Sequence, residues 1–301
     1  MRPVIVDTDP GTDDAMAIAM ALASAELKVL GLATVAGNVC LGDSTRNALL
    51  ILEALGRSEV GVWPGSEGPT GGIPEYAYHF HGETGLTVDL GDPVTGPQEG
   101  SAVDLIVESA HLYPGSLELM AIGPLTNIAD ALDAEPELPW LVRRLWIMGG
   151  ALHCPGNVTP RAEFNFYSDP QAAGRVLSSE MASTVVGLDV CGKVQVGPGG
   201  PLTPPVGSVG ASLSGRLLTE WLRSHPGEKF WMCDPLAVAV ALDPSVVRTS
   251  AGRVSVVADG RERGMSIARY GAGAVEIALE VEADRAISLI GELAFGMPLD
   301  P

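Results

Sequence analysis

The sequence has few basic residues. It contains 18 lysine and arginine residues against 37 aspartate and glutamate residues, which gives a net charge of −19 at pH 7. A protein that binds nucleic acid needs a positively charged surface to neutralise the phosphates, so this balance argues against nucleic acid as a partner. It also disfavours an anionic membrane surface. The balance is compatible with a neutral small-molecule substrate and with a bound cation.

Several other features are missing from the 301 residues. No run of 18 or more apolar residues indicates a membrane span. The four cysteines have no Cys-x-x-Cys spacing, which argues against a zinc site and against a disulfide framework. No linker or internal repeat divides the chain, and its first residues enter an apolar run directly, without room for a signal peptide. We therefore expect one domain over residues 1–301 in a reducing cytoplasm.

Short apolar runs alternate with helical patterns along most of the chain. Strand-like runs lie at 4–6, 28–35, 117–122, 145–148 and 184–188, and helical patterns lie at 13–25, 43–55 and 124–132. From residue 253 the pattern changes to strands at 254–258 and 274–281 and a closing helix at 284–295. Buried strands that are separated by helices are typical of a parallel sheet. We predict an α/β fold with a mainly parallel central sheet flanked by helices, and a site at the carboxyl ends of its strands.

A dense group of carboxylates follows the first predicted strand. Its members are Asp7, Asp9, Asp13 and Asp14. Close carboxylates raise each other's pKa unless a cation neutralises them, and hard oxygen ligands suit Ca²⁺ or Mg²⁺. Capping of the following helix explains one or two of the four, because negative charge is favourable there. An EF-hand is excluded, since Thr12 and Ile18 occupy the positions that require Gly and Glu.

A strand followed by Asp-x-Asp is also found in phosphatases of the haloacid-dehalogenase type. In such an enzyme Asp7 would be the nucleophile, and Thr or Val would usually follow the second acid. Here Pro10 follows Asp9, and the later acidic pair has no role in that mechanism. The phosphatase is therefore the last of the alternatives, and it requires phosphate release that depends on Asp7.

Residues 7–15, DTDPGTDDA, resemble the N-terminal motif of the inosine-uridine-preferring nucleoside hydrolase family. The resemblance extends over nearly the whole chain. Further motifs follow in the family's order and approximate spacing: GN at 37–38, HG at 81–82, GPLTN at 123–127, MGG at 148–150, GN at 156–157, AEFN at 162–165 and DP at 234–235. The ordered set is far more specific than any one motif. It implies a Rossmann-like fold and a metal-dependent ribonucleoside hydrolase.

The resemblance also implies roles for individual residues. Ca²⁺ would be held by Asp9, Asp14, Asp234 and the main-chain oxygen of Thr126. Asp9 would also be the general base for the attacking water, and His81 would lie near the nucleobase. The residues that would line the ribose pocket are Asp13, Asn38, Met148, Asn157, Glu163 and Asn165. Such amides and carboxylates supply the donors and acceptors that ribose hydroxyls need, and carboxylates stabilise an oxocarbenium-like transition state.

The sequence departs from the family pattern at one position. Many members have a His before the late aspartate, thought to help protonate the departing base, whereas this chain has Cys233. A thiol, with a pKa of about 8.5, matches neutral pH less well than imidazole, and a small buried hydrophobe is an equally good interpretation. The other candidates for this role are His81, His79 and His153, of which we rank His81 first. The long segment 61–100, which contains His81, is predicted to be a flap over the site.

The sequence therefore predicts an enzyme of purine or pyrimidine salvage that hydrolyses ribonucleosides to ribose and free base, with the preferred base open. The resemblance further implies a homodimer or homotetramer. One alternative keeps the ribose site but changes the aglycone to a modified base, and the departure at Cys233 motivates it. Another is a ribose- or nucleoside-binding protein that has lost catalysis, although the implied metal-binding carboxylates are all present.

Overall fold

A central β-sheet organises the protein. The computed structural model describes residues 1–82, 84–197, 209–297 and 299, without the side chains of 79 and 209–212. The strands in this part of the chain are β1 (Arg2–Thr8), β2 (Leu27–Thr34), β3 (Gly61–Pro64), β4 (Leu117–Ala121), β5 (Val142–Met148), β6 (Ser183–Val186), β7 (Gln195–Val196), β8 (Phe230–Trp231), β9 (Val247–Val256), β10 (Ser266–Tyr270) and β11 (Val275–Val281).

Helices connect most of these strands. They are α1 (Thr12–Ala23), α2 (Leu41–Ala54), α3 (Tyr78–His81), α4 (Ala102–Leu112), α5 (Thr126–Ala134), α6 (Leu138–Leu141), α7 (Phe164–Ser168), α8 (Pro170–Leu177), α9 (Leu188–Cys191), α10 (Val209–Ser224), α11 (Cys233–Leu242) and α12 (Ala283–Ile290). A π-helical turn, Gly291–Phe295, follows α12. No helix among the described residues has the length and apolar character needed to cross a bilayer.

The large sheet is mainly parallel. Within the described residues it has nine strands in the order β10-β9-β11-β6-β5-β4-β1-β2-β3. All neighbours from β11 to β3 run parallel, whereas β9 is antiparallel to both β11 and β10. The prediction of a mainly parallel sheet flanked by helices is therefore confirmed. The two short strands β7 and β8 form a separate antiparallel pair.

Alternate residues of β1 enter two hydrophobic cores, one on each face of the sheet. Val4 and Val6 pack into the core that contains α1, α10, α11 and α12, whereas Ile5 packs into the core that contains α4, α5 and α8. All three side chains are fully buried. Because both faces are covered, the central strand is apolar at consecutive positions, as is typical of parallel sheets.

Several element boundaries differ from those predicted from the sequence. Segment 61–100 was predicted to be a long loop, but it contains β3 and α3. The strand predicted at 184–188 ends at Val186, because Leu188 already begins α9. The helix predicted from residue 124 begins at Thr126. The closing helix changes to π geometry at Gly291, and the edge strand β10 was not predicted.

Candidate active site

The carboxyl ends of four adjacent strands meet at one edge of the sheet. In spatial order these strands are β5, β4, β1 and β2. The segments that follow them are 149–150, 123–127, 9–14 and 37–38, respectively. Most of the motif residues singled out in the sequence lie in these segments, so the fold brings them together as the parallel topology requires.

Three carboxylates form the centre of this edge. Oxygen atoms of Asp13, Asp14 and Asp234 lie within 4.8 Å of one another, close enough to share one cation. Asp13 and Asp14 lie in the first turn of α1, and Asp234 lies in the first turn of α11. The two helices pack against each other, so their N-terminal ends converge. The positive ends of both helix dipoles partly compensate the negative charge.

Asp9 lies beside this group and is fully buried. Its Oδ2 accepts a hydrogen bond of 2.6 Å from the main-chain N–H of Asn38. Its Oδ1 has no hydrogen-bond partner among the described residues. A buried carboxylate oxygen without a donor is costly, because desolvation is not compensated. Asp9 therefore presents an oxygen that is suited to a cation or to the proton of a water molecule.

Hydrogen bonds fix the orientation of Asp14. Its Oδ1 accepts from the hydroxyl of Thr8 at 2.6 Å, and its Oδ2 accepts from the N–H of Gly11 at 2.8 Å. The side-chain amide of Asn38 donates to the same Oδ2 at 3.1 Å. Thus Asn38, which was predicted to line the ribose pocket, also holds Asp9 and Asp14 in place.

The carboxyls of the site favour their protonated forms when no cation is present. Desolvation and then the charge of Asp14 raise the pKa of Asp13 to about 7 and raise that of Asp9 well above its ordinary range. Desolvation and the neighbouring charges, Asp13 first, raise the pKa of Asp234 well above its ordinary range. A divalent cation reverses this effect, because it stabilises the charged carboxylates that bind it.

Asp7 is not part of this group. Its Oδ1 accepts a hydrogen bond of 3.0 Å from the amide of Asn127, and its burial raises its pKa to about 8. At neutral pH this carboxyl is mostly protonated, which makes it a weak nucleophile. The geometry therefore gives no support to the phosphatase alternative, in which Asp7 attacks phosphorus.

Two glycines allow the neighbouring loops to approach Asp9. A Cβ atom at Gly37 would lie 2.0 Å from Asp9 Oδ2, and one at Gly123 would lie 2.6 Å from Asp9 Oδ1. No side chain fits at such distances. The loops that follow β2 and β4 therefore close around Asp9 only because both positions are glycine.

Asp169 connects the site to the 61–100 segment, and no local sequence pattern predicts this role. Its Oδ2 accepts hydrogen bonds from the hydroxyl of Thr126 at 2.9 Å and from the main chain and hydroxyl of Thr70 at 2.7 and 2.9 Å. Its Oδ1 accepts from the N–H of Ala172 at 2.9 Å. Asp169 is 1% exposed, so these bonds are shielded from water. It therefore fixes Thr126, the first residue of α5.

Four of the six predicted ribose-binding residues lie at the end of β5 or in the segment that follows it. The amide of Asn165 donates to the carbonyls of Ile122 and Met148 at 2.9 and 3.2 Å. The carboxylate of Glu163 accepts from the N–H groups of Gly150 and Asn165, both at 2.8 Å. These bonds fix both side chains and leave the Oδ1 acceptor of Asn165 for a ligand hydroxyl.

Asn157 is the most open member of the predicted ribose pocket. It is exposed, and its Oδ1 accepts a hydrogen bond of 2.9 Å from the N–H of Phe164. Its amide group keeps two donors. In contrast, Met148 is 4% exposed at the end of β5 and contributes to the hydrophobic core as well as to the site edge.

His81 lies against the first turn of α1. Its Nδ1 accepts a hydrogen bond of 3.2 Å from the N–H of Thr12, so a neutral ring carries its proton on Nε2. A Cβ atom at Gly11 would lie 2.6 Å from the same Nδ1. The ring is 4% exposed and packs edge-on against Phe80. The 61–100 segment thus places an imidazole beside the carboxylate group.

An aromatic cluster attaches the short helix α3, and with it His81, to α10. The ring of Phe80 lies 5.2 Å from that of Trp221 and 6.5 Å from that of Phe230, measured between centroids. His225 stacks on Trp221 at 4.2 Å. No local sequence pattern predicts this cluster, because its members are far apart in the chain.

The other proposed proton donors are less suited to the role. A hydrogen bond with the thiol of Cys191, together with burial, raises the pKa of Cys233 well above its ordinary value, which makes it a weaker acid. His153 is exposed, and its ring is hydrogen-bonded to the hydroxyl of Tyr270. The side chain of His79 lies outside the described residues.

The chain is similar in sequence to known proteins over most of its length. Residues 4–288 match the model of a family described as inosine-uridine preferring nucleoside hydrolase. A pyrimidine-specific ribonucleoside hydrolase from Citrobacter koseri is 37% identical over 276 residues, which cover 89% of this chain and 88% of that protein. Uridine nucleosidase 1 from Arabidopsis thaliana is 46% identical over 189 residues, which cover 62% of this chain but only 56% of the relative.

Solved structures show the same architecture. A plant nucleoside hydrolase superposes with a TM-score of 0.91 and 30% identity, covering 98% of this chain and 99% of the other. A purine-preferring ribonucleoside hydrolase from Gardnerella vaginalis superposes with a TM-score of 0.90 and 30% identity, covering 98% of each chain. The similarity therefore includes both the sheet and the loops that form the site.

The close approach of Gly37 to Asp9 generates a prediction. We expect Gly37→Ala to weaken binding of Ca²⁺, measured by titration calorimetry, by at least about tenfold, because the added methyl group displaces Asp9. Gly42→Ala is the matched control, since a Cβ atom at Gly42 in α2 meets nothing within 4 Å. Unchanged Ca²⁺ affinity in the folded Gly37→Ala variant would mean that Asp9 does not take part in cation binding.

Proposed function

The chain belongs to the inosine-uridine preferring nucleoside hydrolase family, and on this premise we propose that it hydrolyses the N-glycosidic bond of ribonucleosides to give ribose and free base. The observation that carries the proposal is the group of Asp13, Asp14 and Asp234, whose oxygen atoms lie within 4.8 Å of one another, with the buried Asp9 beside it. Amide and carboxylate side chains line the same sheet edge. The substrate is a small neutral molecule, which agrees with the strongly negative net charge.

We assign the resident cation as Ca²⁺ and its ligands as Asp9, Asp14, Asp234 and the main-chain oxygen of Thr126. The donor set fits, because Ca²⁺ prefers carboxylate and carbonyl oxygens. The partnerless Oδ1 of Asp9 and the raised pKa values of the carboxyls also support a cation at this place. A bound Ca²⁺ ion supplies Lewis acidity to water and a fixed point for the ribose 2′ and 3′ hydroxyls.

Asp9 is the general base in this proposal. The hydrogen bond from Asn38 fixes the carboxylate of Asp9, to which the attacking water would pass its proton. Asp9 is fully buried, so its carboxylate is desolvated and held in one orientation. A fixed, desolvated base of this kind typically contributes a rate factor of about 10²–10⁴.

The ribose lies between Asp13, Asn38 and Met148 on one side and the segment that follows β5 on the other. In that segment Asn157, Glu163 and Asn165 orient the hydroxyls. As the glycosidic bond breaks, positive charge develops on the sugar ring. The nearby carboxylates of Asp13 and Glu163 stabilise this charge. Hydrogen bonds from the N–H groups of Gly150 and Asn165 fix Glu163, so this side chain needs little reorganisation.

His81 is the residue to which we assign protonation of the leaving base. The hydrogen bond from Thr12 to Nδ1 places the proton of the neutral ring on Nε2, where it can be donated. Cys233 contributes less to this step, because its contact with Cys191 and its burial make the thiol a weaker acid.

The preferred base stays open. Among the relatives, one is named as a uridine nucleosidase and one as a pyrimidine-specific ribonucleoside hydrolase, whereas one structural neighbour is named as purine-preferring. Two further predictions are a homodimer or homotetramer and a cytoplasmic location. Light scattering coupled to size-exclusion chromatography tests the first, and cell fractionation tests the second.

Release of reducing sugar from inosine, adenosine, guanosine, uridine and cytidine in the presence of Ca²⁺ tests the proposed activity. We expect turnover of at least one nucleoside, and we expect Asp9→Asn to lower kcat by about 10²–10⁴-fold because the base is lost. A sample treated with a chelator is the control for the cation. Ribose binding without any turnover would contradict the proposal and would indicate a binding protein. Turnover of a modified nucleoside alone would restrict the substrate to an unusual aglycone.

The role of His81 generates a separate prediction. We expect His81→Gln to lower kcat for natural nucleosides by about 10²-fold, because glutamine fills the site but donates no proton to the base. A nitrophenyl riboside, whose leaving group departs without a proton, should lose far less activity. Cys233→Ala is the matched control and should retain activity within about threefold. Equal losses with both kinds of substrate would show that His81 has another role.

A further inference from the structure

A second cavity lies at the opposite edge of the sheet from the candidate active site. Its volume is about 440 Å³, which lies within the range of about 300–1,000 Å³ found for sites that bind small organic ligands. Its walls are formed by the first residues of β1, β4, β5 and β6, by parts of β9 and β11, and by the last turn of α11.

A row of polar side chains crosses four adjacent strands in the wall of this cavity. In register, Glu118 of β4 lies beside Arg144 of β5, and Thr184 of β6 lies beside Glu276 of β11. Central parallel strands usually carry apolar residues on both faces, because helices cover them. Trp146 of β5 lies opposite Thr184, so the polar positions step by two residues between β5 and β6 and stay on the same face. Polar residues on one face of four such strands are unfavourable for the fold, and this favours a binding role.

Part of the row is neutralised within the protein. Glu118 is 1% exposed and accepts hydrogen bonds from Arg2 at 3.0 Å and from the indole of Trp146 at 2.9 Å. Arg2 also donates to the carbonyl of Ala241 at 3.0 Å and so compensates the negative end of α11. The charges of Arg2 and Glu118 thus neutralise each other, and Arg2 also satisfies a carbonyl at the C-terminal end of α11.

The guanidinium of Arg144 has more N–H donors than its neighbours use. Its guanidinium lies 5.4 Å from the ring centroid of Trp146 and donates to the hydroxyl of Thr184 at 2.9 Å. No carboxylate of the described residues lies within 4.0 Å of it. A guanidinium carries five N–H donors, so the aromatic ring and one hydroxyl orient this group without saturating it.

Arg143 adds a second guanidinium because of an irregularity in β5. The pairing of β4 with β5 passes from Leu117 opposite Val142 to Glu118 opposite Arg144, so Arg143 is an extra residue. Consecutive strand residues normally point to opposite faces, but a bulge of this kind redirects a side chain. As a result Arg143 and Arg144 both line the cavity. Arg143 is 57% exposed, and its ion pair with Glu118 is long, at 3.6 Å.

We propose that this cavity binds a small organic oxyanion, a phosphate monoester or a carboxylate, through Arg143 and Arg144. The planar guanidinium matches either group with two parallel hydrogen bonds. Three arginines against two glutamates make the lining net positive in a chain whose net charge is −19, so the cavity is a local site for anions. The hydroxyl of Thr184 lies beside Arg144 and supplies a neutral partner.

Calorimetric titration of the full chain with three matched probes tests this site. The probes are phenyl phosphate, benzoate and uncharged phenol, none of which contains the ribose that the active site recognises. We expect one molecule of an oxyanion probe to bind per chain and phenol to bind at least about tenfold more weakly. The tighter of the two oxyanions identifies the ligand as a phosphate monoester or a carboxylate. Binding of neither oxyanion, or equal binding of phenol, would overturn the proposal.

Single substitutions locate the binding. We expect Arg144→Gln and Arg143→Gln each to weaken the preferred oxyanion by at least about tenfold. Arg269→Gln, at an exposed position on the edge strand β10, is the matched control for the loss of one positive charge and should change affinity by less than about twofold. Arg143 is exposed, so its variant gives a clear answer even if Arg144→Gln disturbs packing on Trp146. Equal weakening by Arg269→Gln would show that only the overall charge matters.

Discussion

The burial of several carboxylates at one place is the constraint on which the rest of the site depends. Asp9, Asp14 and Asp234 are each at most 4% exposed, and desolvation makes their charged forms unfavourable. Two helix N-termini and hydrogen bonds to Asp9 and Asp14 offset part of this cost. Protonation offsets the remainder in the metal-free protein, and a bound cation would take the place of those protons. The proposed chemistry follows from placing such a cation beside a ribose pocket.

The two edges of the sheet have different roles because the strands are parallel. At the carboxyl edge, loops close around Asp9 at Gly37 and Gly123, where no side chain fits. At the opposite edge, the first residues of the strands and the last turn of α11 surround a cavity lined by Arg143 and Arg144. The same strands β1, β4 and β5 contribute to both edges, so the acidic site and the cationic cavity lie at opposite ends of one rigid layer.

The sequence alone was sufficient for the sheet type, and it also predicted that polar segments after the strands meet at one edge, because both depend on local patterns. Apolar runs predicted the parallel strands, and the segments after them contain Asp9, Asn38 and Thr126. Contacts between distant segments left no such pattern. Examples are the hydrogen bonds that Asp169 accepts from Thr70 and Thr126, and the packing of Phe80 on α10. The bulge at Arg143 depends on the register between β4 and β5, which no local sequence pattern predicts.

The most direct test of the central claim is titration of the metal-free protein with Ca²⁺ at pH 6 and pH 8, with proton release measured at the same time. Because the pKa of Asp13 is raised to about 7 and those of Asp9 and Asp234 are raised as well, the cation must displace protons near neutral pH. We expect proton release and a Ca²⁺ affinity at least about tenfold higher at pH 8 than at pH 6. An affinity that is independent of pH, with no proton released, would contradict it.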